Sequence, residues 1–380
     1  WNPHHDLPNH HHHHQHPNPR RRAIGAFYAS RLALAPHTRV SVICRSNHAA
    51  VSQHGFSITS PLYGTYVFVP AHVFADPAEA GAAGIRWDYV LVCTKALPDV
   101  SDDSRILEGA GLVKEGTVIV LVQNGVGVEE PYTRRFPDAV VLSAVTVASA
   151  VQGVPGVITH NRWTRISIGP YLRSSSSSQA TEAEQEQTAI AISRNKAFVA
   201  LLRAGGIPDA EEYTHAKLQL ARWHKTALNA AMNPSAVLSG GSTNHDMAMD
   251  EELYRHLEGV MREVLDAAPK VLGMPMPAEF ASPEAILRST LKNTSGSKPS
   301  MLLDWEAGRK MELEVILGNP VRIARERGLE MPRLQSLYAL LRKAQESREL
   351  AKKENLGFTT QIKVTVLITA FIENRPRVSQ

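Results

Sequence analysis

A chain of 380 residues with 43% apolar and 21% charged side chains has the material for two cored domains and is too long for a single small binding module. Its net charge of +4 sits at the ends, about +2 over residues 1–22 and about +4 over 342–380, and no Lys/Arg stripe is interleaved with aromatics, so nucleic-acid binding is not expected. No apolar run reaches the roughly 18 residues of a membrane span, the most apolar late segment being VTVLITAF at 364–371, so no membrane partner is expected either.

Residues 1–22 open on Trp1, contain the run His10–His14 and show no periodicity; they are expected to be a disordered or aberrant leader whose histidines take up metal only adventitiously. IGAFYASRLAL (24–34) carries small and apolar residues at helical spacing until Pro36 stops it, and TRVSVIC follows as a strand. Residues 57–75 suggest short extended segments around a Pro-Leu-Tyr-Gly turn. WDYVLVCTKAL (87–97) and GTVIVLVQNGVGVEE (116–130) then repeat one form, an apolar strand running into a polar loop. Two further segments, DAVVLSAVTVASAVQ and GVITHNRWTRISIGP, continue as strands. Cys44 and Cys93 each close an apolar strand, which suits small buried side chains in a reducing compartment better than a disulfide or a metal site.

The serine-rich patch from Arg173 to Gln187 marks a boundary, after which helices are expected at about 183–204, 211–238, 247–268, 281–292, 298–322 and 333–353. The residues from Lys343 on continue no clear pattern and fit either an extra helix and strand or an appended sequence. The expected organisation is therefore α/β plus all-α: a leader (1–22), a Rossmann-like N-terminal domain (23–172), a linker or loop (173–187), a helical C-terminal domain (188–342) and an atypical extension (343–380).

Counting back from Gly25, a GxGxxG fingerprint needs glycine at positions 20 and 22, where Arg20 and Arg22 stand. The first strand is absent from the pattern as well, so an open sheet edge and a weakened phosphate turn are expected. At the far end of the same unit, Arg45 closes the second strand, where a base accommodates a 2′-phosphate and an acid would favour a free hydroxyl. This reads as NADP; an ordinary surface arginine is the alternative. Thr94-Lys95 and the loop Gln123–Gly127, with Asn124 between strand and glycine, are the other strand ends that fit a crevice.

In the second half, Lys225, Asn229 and Asn233 recur every four residues and share a helix face beside Trp223 and His224. They border either a polar pocket or the solvated stripe of a surface helix. Ser300, Asp304, Arg309, Glu312 and Glu314 form a second polar cluster, and no spacing resembles a zinc set, a nucleophile elbow or a P-loop, so no metal is expected.

IGAFYASRLA, ICRSN, VCTKA, VQNGVGVEE, RWHKTALNAAMNP and KPSMLLDWEAGRKMELEVILGNPV, in this order, closely resemble the ketopantoate reductase (2-dehydropantoate 2-reductase) family, especially its fungal-type members, over about residues 23–342. The resemblance implies NADPH-dependent reduction of 2-dehydropantoate to pantoate, on the route to pantothenate and coenzyme A, in the cytoplasm, with room for a homodimer. It implies Lys225 and Glu312 as catalytic residues, Asn229, Asn233 and Ser300 as ligands of the small 2-oxo acid, and Gly25, Arg45, Lys95 and Asn124 around the cofactor. Two rivals stay open: a reductase of another small 2-oxo acid, and a catalytically silent relative that binds a nucleotide or a partner.

Overall fold

The computed structural model describes residues 23–173, 181–355 and 369–374. The leader with Arg20 and Arg22, and the serine run after Arg173, lie outside the described residues. Helix α1 (Ala23–Leu32) leads into β1 (Thr38–Ile43), α2 (His48–His54), β2 (Phe56–Ser60), β3 (Gly64–Phe68) and the two-residue β4 (Val73–Phe74). Then come α3 (Pro77–Ala82), β5 (Tyr89–Val92), α4 (Asp103–Gly109), β6 (Val118–Leu121), α5 (Glu130–Arg135), β7 (Val140–Thr146), β8 (Ser149–Gln152), β9 (Val157–Arg162) and β10 (Ile166–Pro170). Past the serine run the chain turns helical: α6 (Glu182–Ala204), the short β11 (Ala210–Glu212), α7 (His215–Leu238), α8 (Asn244–Met249), α9 (Glu251–Leu272), α10 (Pro283–Leu291) and α11 (Ser300–Glu306). A π-helical turn (Glu314–Gly318), α12 (Asn319–Glu326), α13 (Pro332–Asn355) and β12 (Thr369–Asn374) complete it. The architecture is a Rossmann-like α/β unit followed by a helical one, as the sequence pattern implies.

An eight-stranded sheet runs β11-β10-β7-β6-β5-β12-β1-β4, with β5, β6 and β7 parallel, and a four-stranded sheet runs β3-β2-β9-β8. The strand period of two sorts the side chains. Val40, Val42, Tyr89, Leu91, Val118 and Val120 face α1 and α6, while Val90, Val92, Ile119 and Leu121 face the opposite layer with Leu107 and Tyr132. Both faces being covered explains why β5 and β6 are buried at every position.

Helix α6 begins at Glu182 because Thr181 and Glu184 form a reciprocal capping box. Its Phe198, Val199 and Leu202 share a core with α1 and the sheet, so by packing it belongs with the strands. The helical half gathers instead around α7 and α9, which bury Trp223, Ala227, Ala231, Val260, Met261 and Val264 in one cluster. The helix expected over 298–322 is interrupted: Gly308 takes φ 63°, residues 309–312 have no regular secondary structure, and the chain re-enters helix through the π-turn. Helix α13 (Pro332–Asn355) matches the helix expected over 333–353 and runs past the domain end expected near 342.

The expected open edge is corrected by β12. This strand lies between β1 and β5, in the slot a first parallel strand takes in a doubly wound sheet, but it runs antiparallel to both. Val40 and Tyr89 are both registered with Ile372, and Val42 and Leu91 with Ala370. Its first residue, Thr369, therefore sits at the carboxyl ends of β1 and β5, the edge from which Arg45 and Lys95 emerge. Two ladders satisfy backbone groups of two strands that would otherwise be left unpaired in the sheet interior. Ile372→Pro, which removes a donor from the middle of that strand, should lower the melting temperature by about 5 °C or more in scanning calorimetry. An unchanged transition would remove residues 369–374 from the sheet.

Candidate active site

Helix α7 starts where the Thr214 hydroxyl accepts from the Lys217 amide at 3.2 Å. Along it Gln219, Arg222, Lys225, Asn229 and Asn233 recur every three to four residues and so lie on one face. Lys225 is half-buried, and its Nζ donates to the Thr146 carbonyl at the end of β7, 2.5 Å away. The Thr146 hydroxyl in turn lies 2.5 Å from the Tyr28 hydroxyl of α1, which also donates to the Thr164 carbonyl at 2.9 Å. Burial raises the Tyr28 phenol far above its ordinary range, so it stays protonated as a donor. His224, by contrast, points away: its Nε2 donates to the Ala281 carbonyl at 2.8 Å, and burial lowers its pKa.

Asn233 is buried, and its Oδ1 accepts from the Ser300 hydroxyl at 3.2 Å and the Met301 amide at 2.9 Å. This supplies the first turn of α11 with an acceptor that its own cap residue, Pro299, lacks. Lys225, Asn229, Asn233 and Ser300 thus form one polar line, with Asn229 half-buried at its middle.

The other expected residues meet this line at the junction of the two halves. Buried Glu312, in the irregular segment after α11, accepts from the Ala96 amide at 3.1 Å and so ties the loop after β5 to the helical half. Lys95, in that same loop, is ion-paired with buried Asp304 at 2.5 Å and donates to the Lys310 carbonyl at 3.3 Å. Its side chain is a clamp between halves in this structure. Asn124 is half-buried in the loop after β6. Gly125 has φ 92° there, and a Cβ on it would come within 2.4 Å of the Val315 carbonyl, so only glycine lets the π-turn close on this loop. Gly25 is buried in α1. Arg45 follows β1 with its Nη1 atom buried and no hydrogen-bond partner among the described residues. Asn47 is buried and exchanges two bonds with Gln152, at 2.8 and 3.2 Å, while Ser46 is exposed.

Sequence reasoning passed over Arg222 and Glu129. Arg222 Nη1 donates to the carbonyls of Gln123 and Gly125, at 2.8 and 2.9 Å, and so grips the loop on both sides of Asn124. Its Nη2 donates to the Ser143 hydroxyl at 2.5 Å and the Ala144 carbonyl at 3.2 Å, and Nε lies 2.9 Å from Glu129 Oε1. The signal was present: Arg222 falls on the same helical stripe three residues before Lys225, and Glu129 is the first of the two acids that close the motif VQNGVGVEE.

A cavity of about 970 Å³ lies beside the same loops, lined by residues of α4, α5, the π-turn and α12. It includes none of Lys225, Asn124, Asn229, Asn233 or Ser300, and its wall carries Asp99, Asp102, Asp103, Glu108, Glu130, Glu314 and Glu326 against three arginines. Burial pushes the Asp103 carboxyl upward there, opposed by a hydrogen bond from the Thr94 hydroxyl at 2.6 Å. Such a wall suits an anion poorly, so the polar line on α7 is the better candidate for an acid ligand.

Two family models match the chain: the ketopantoate reductase PanE/ApbA model over residues 23–173 and its C-terminal counterpart over 217–345. A crystal structure of 2-dehydropantoate 2-reductase from Methylococcus capsulatus is 33% identical, with a TM-score of 0.70 over 86% of this chain and 95% of that one. The 2-dehydropantoate 2-reductase of Nostoc is 26% identical, over 84% of this chain and 92% of its own. An uncharacterized protein of Saccharomyces cerevisiae is 29% identical, over 84% and 90% respectively.

Asn233→Ala should cost about 1–2 kcal/mol in urea unfolding, because it strips the Ser300 hydroxyl and the Met301 amide of their acceptor. A loss below a few tenths would mean that those two bonds are not made in solution. Gly125→Ala should cost more, above about 2 kcal/mol, through backbone strain and displacement of the π-turn; equal stability would contradict the close approach to Val315.

Proposed function

Because the chain belongs to the PanE/ApbA ketopantoate reductase family, a family of oxidoreductases, we propose that it reduces 2-dehydropantoate to pantoate with NADPH. The observation that carries the reading is the polar line of Lys225, Asn229, Asn233 and Ser300, joined through Arg222 to the loop around Asn124. Protein partners hold Lys225 and Asn233 in place at the junction of the two halves, and Lys225 and Asn229 are only half-buried there, so their polar groups stay within reach of a ligand. The motifs RWHKTALNAAMNP and KPSMLLDWEAGRKMELEVILGNPV, which hold most of these groups, also support a fungal-type member of the family.

The donor set fits the cofactor. Arg45 has a buried Nη1 lacking a protein partner among the described residues, where a 2′-phosphate would give it one. Asn124 and the adjacent glycine loop would lie along the nicotinamide side, and Gly25 would sit at the base of the phosphate turn. When bound, the cofactor supplies a hydride for C2 of the acid. The chain supplies everything else. The hydroxyl of Ser300 and the amides of Asn229 and Asn233 bind the acid and orient its carbonyl. As negative charge builds on the ketone oxygen, the Lys225 ammonium leaves the Thr146 carbonyl, follows that charge and donates a proton, so that the alcohol is released neutral at oxygen. Glu312, by holding the Ala96 amide, keeps the loop after β5 closed over the helical half.

Wild-type protein should oxidise NADPH fastest, by kcat/KM, with 2-dehydropantoate in a panel of small 2-oxo acids; a preference for another acid would move the substrate within the class, and no turnover would refute the reading. Lys225→Ala should lower kcat by about 100-fold or more while leaving NADPH affinity by fluorescence titration within about threefold. Arg45→Ala should weaken NADPH binding by about tenfold or more and leave NADH nearly unaffected; equal losses for both would argue against a 2′-phosphate contact.

A further inference from the structure

Arg222 is one of the largest fully buried side chains, 2% exposed, and it sits in a chain rich in apolar residues that could have filled the same space. Taking a guanidinium and its carboxylate out of water is costly even when they are paired, and two well-packed apolar residues in place of the pair are often no less stable. Packing therefore gives no reason for an arginine here; geometry does. Every acceptor of its fork lies on the sheet half: Gln123 and Gly125 for Nη1, Ser143 and Ala144 for Nη2. Its counter-charge, Glu129, is fully buried, and one oxygen of that carboxylate also accepts from the Ser143 hydroxyl at 2.6 Å and from the Gln219 amide at 3.2 Å. Gln219 lies three residues before Arg222 on the same face of α7, so the helix is pinned to the sheet at successive turns.

The planar fork fixes two directions at once. One amino group holds the carbonyls that flank Asn124, and the other holds β7 two residues before Thr146, the acceptor of Lys225. We propose that Arg222, oriented by Glu129, is a positioning residue for the reduction: it sets the spacing between the Lys225 ammonium and the Asn124 loop, so that proton donor and hydride donor converge on one carbonyl. It touches neither substrate nor cofactor. The inference rests on the reading of Lys225 as the proton donor.

The test uses the full chain, with Arg222→Met and Arg222→Lys, and Leu107→Ala as a control in a buried site of α4 on the far face of the sheet. Rates are taken with whichever small 2-oxo acid the wild type reduces fastest, so an error in the acid does not affect the comparison. Arg222→Met should lower kcat by about 100-fold, the scale of an ångström of misplacement, with KM for the acid and NADPH affinity within about threefold. Arg222→Lys, which keeps the charge but not the fork, should recover part of that loss. Leu107→Ala should lower the melting temperature yet keep kcat within about threefold. The proposal is overturned if Arg222→Met keeps wild-type kcat, or if Leu107→Ala at a matched loss of melting temperature lowers kcat equally. A second arm needs no substrate. NADPH should slow amide exchange in residues 215–238 of the wild type and should fail to do so in Arg222→Met; equal slowing in both would also overturn the proposal.

Discussion

One buried ion pair, Arg222 with Glu129, governs how the two halves of this molecule meet. Neither group can be left alone in the interior: removing one partner of such a pair costs about 3–5 kcal/mol, because the survivor keeps its charge without compensation. Its hydrogen bonds hold the loop after β6 from one side. From the other side the π-turn holds it, with the Val126 amide donating to the Val315 carbonyl at 2.8 Å and Asn319 Nδ2 donating to the Val126 carbonyl at 2.7 Å. Between these grips Gly125 has no room for a side chain. The loop carrying Asn124 is thus fixed against both α7 and the segment that follows Glu312.

The same joint explains why the polar stripe of α7 is affordable. Lys225 is satisfied by a strand-end carbonyl, Asn233 by the first turn of α11, and Arg222 by the sheet, so the helix can be buried on most of its length while keeping chemical groups at the interface. A second clamp, Lys95 with Asp304, closes the loop after β5 on the helical half, and Arg309 reaches the same carboxylate at 3.2 Å. π-Helical turns are rare and concentrate at functional sites; here the turn provides the carbonyl that the loop around Asn124 docks against. β12 belongs to this account too, since it keeps β1 and β5 at the spacing a Rossmann-like sheet requires, and so keeps Arg45 in register with the loop that carries Lys95.

Much of this was legible in the sequence because it is local. The apolar runs VSVIC, YVLVC and VIVLV announce strands buried on both faces, and the four-residue spacing of Lys225, Asn229 and Asn233 announces a shared helix face. What the sequence concealed was non-local. Arg222 reads as one more charged residue until the carbonyls that surround it are known, and those come from residues about a hundred positions earlier. Glu312 reads as helical because its neighbours have helix-forming side chains, yet the break at Gly308 and the bond to Ala96 hold it in an irregular segment. Asn233, a ligand of the acid by resemblance, turns its side-chain oxygen to the first turn of α11. In the tail, a helix followed by a strand was one of two open readings. Its antiparallel insertion between β1 and β5 depends on pairing with strands about three hundred residues away, which no local pattern encodes.

The central claim is that the acid is reduced between α7 and the loop around Asn124, within reach of Lys225. A crystal structure of the full chain with oxidised cofactor and pantoate tests it most directly. The account predicts the pantoate C2 hydroxyl within hydrogen-bond reach of Lys225 Nζ, with Arg222 still on the Gln123 and Gly125 carbonyls. Pantoate bound instead in the acidic cavity beside α5 and α12, with Lys225 still on the Thr146 carbonyl, would contradict it.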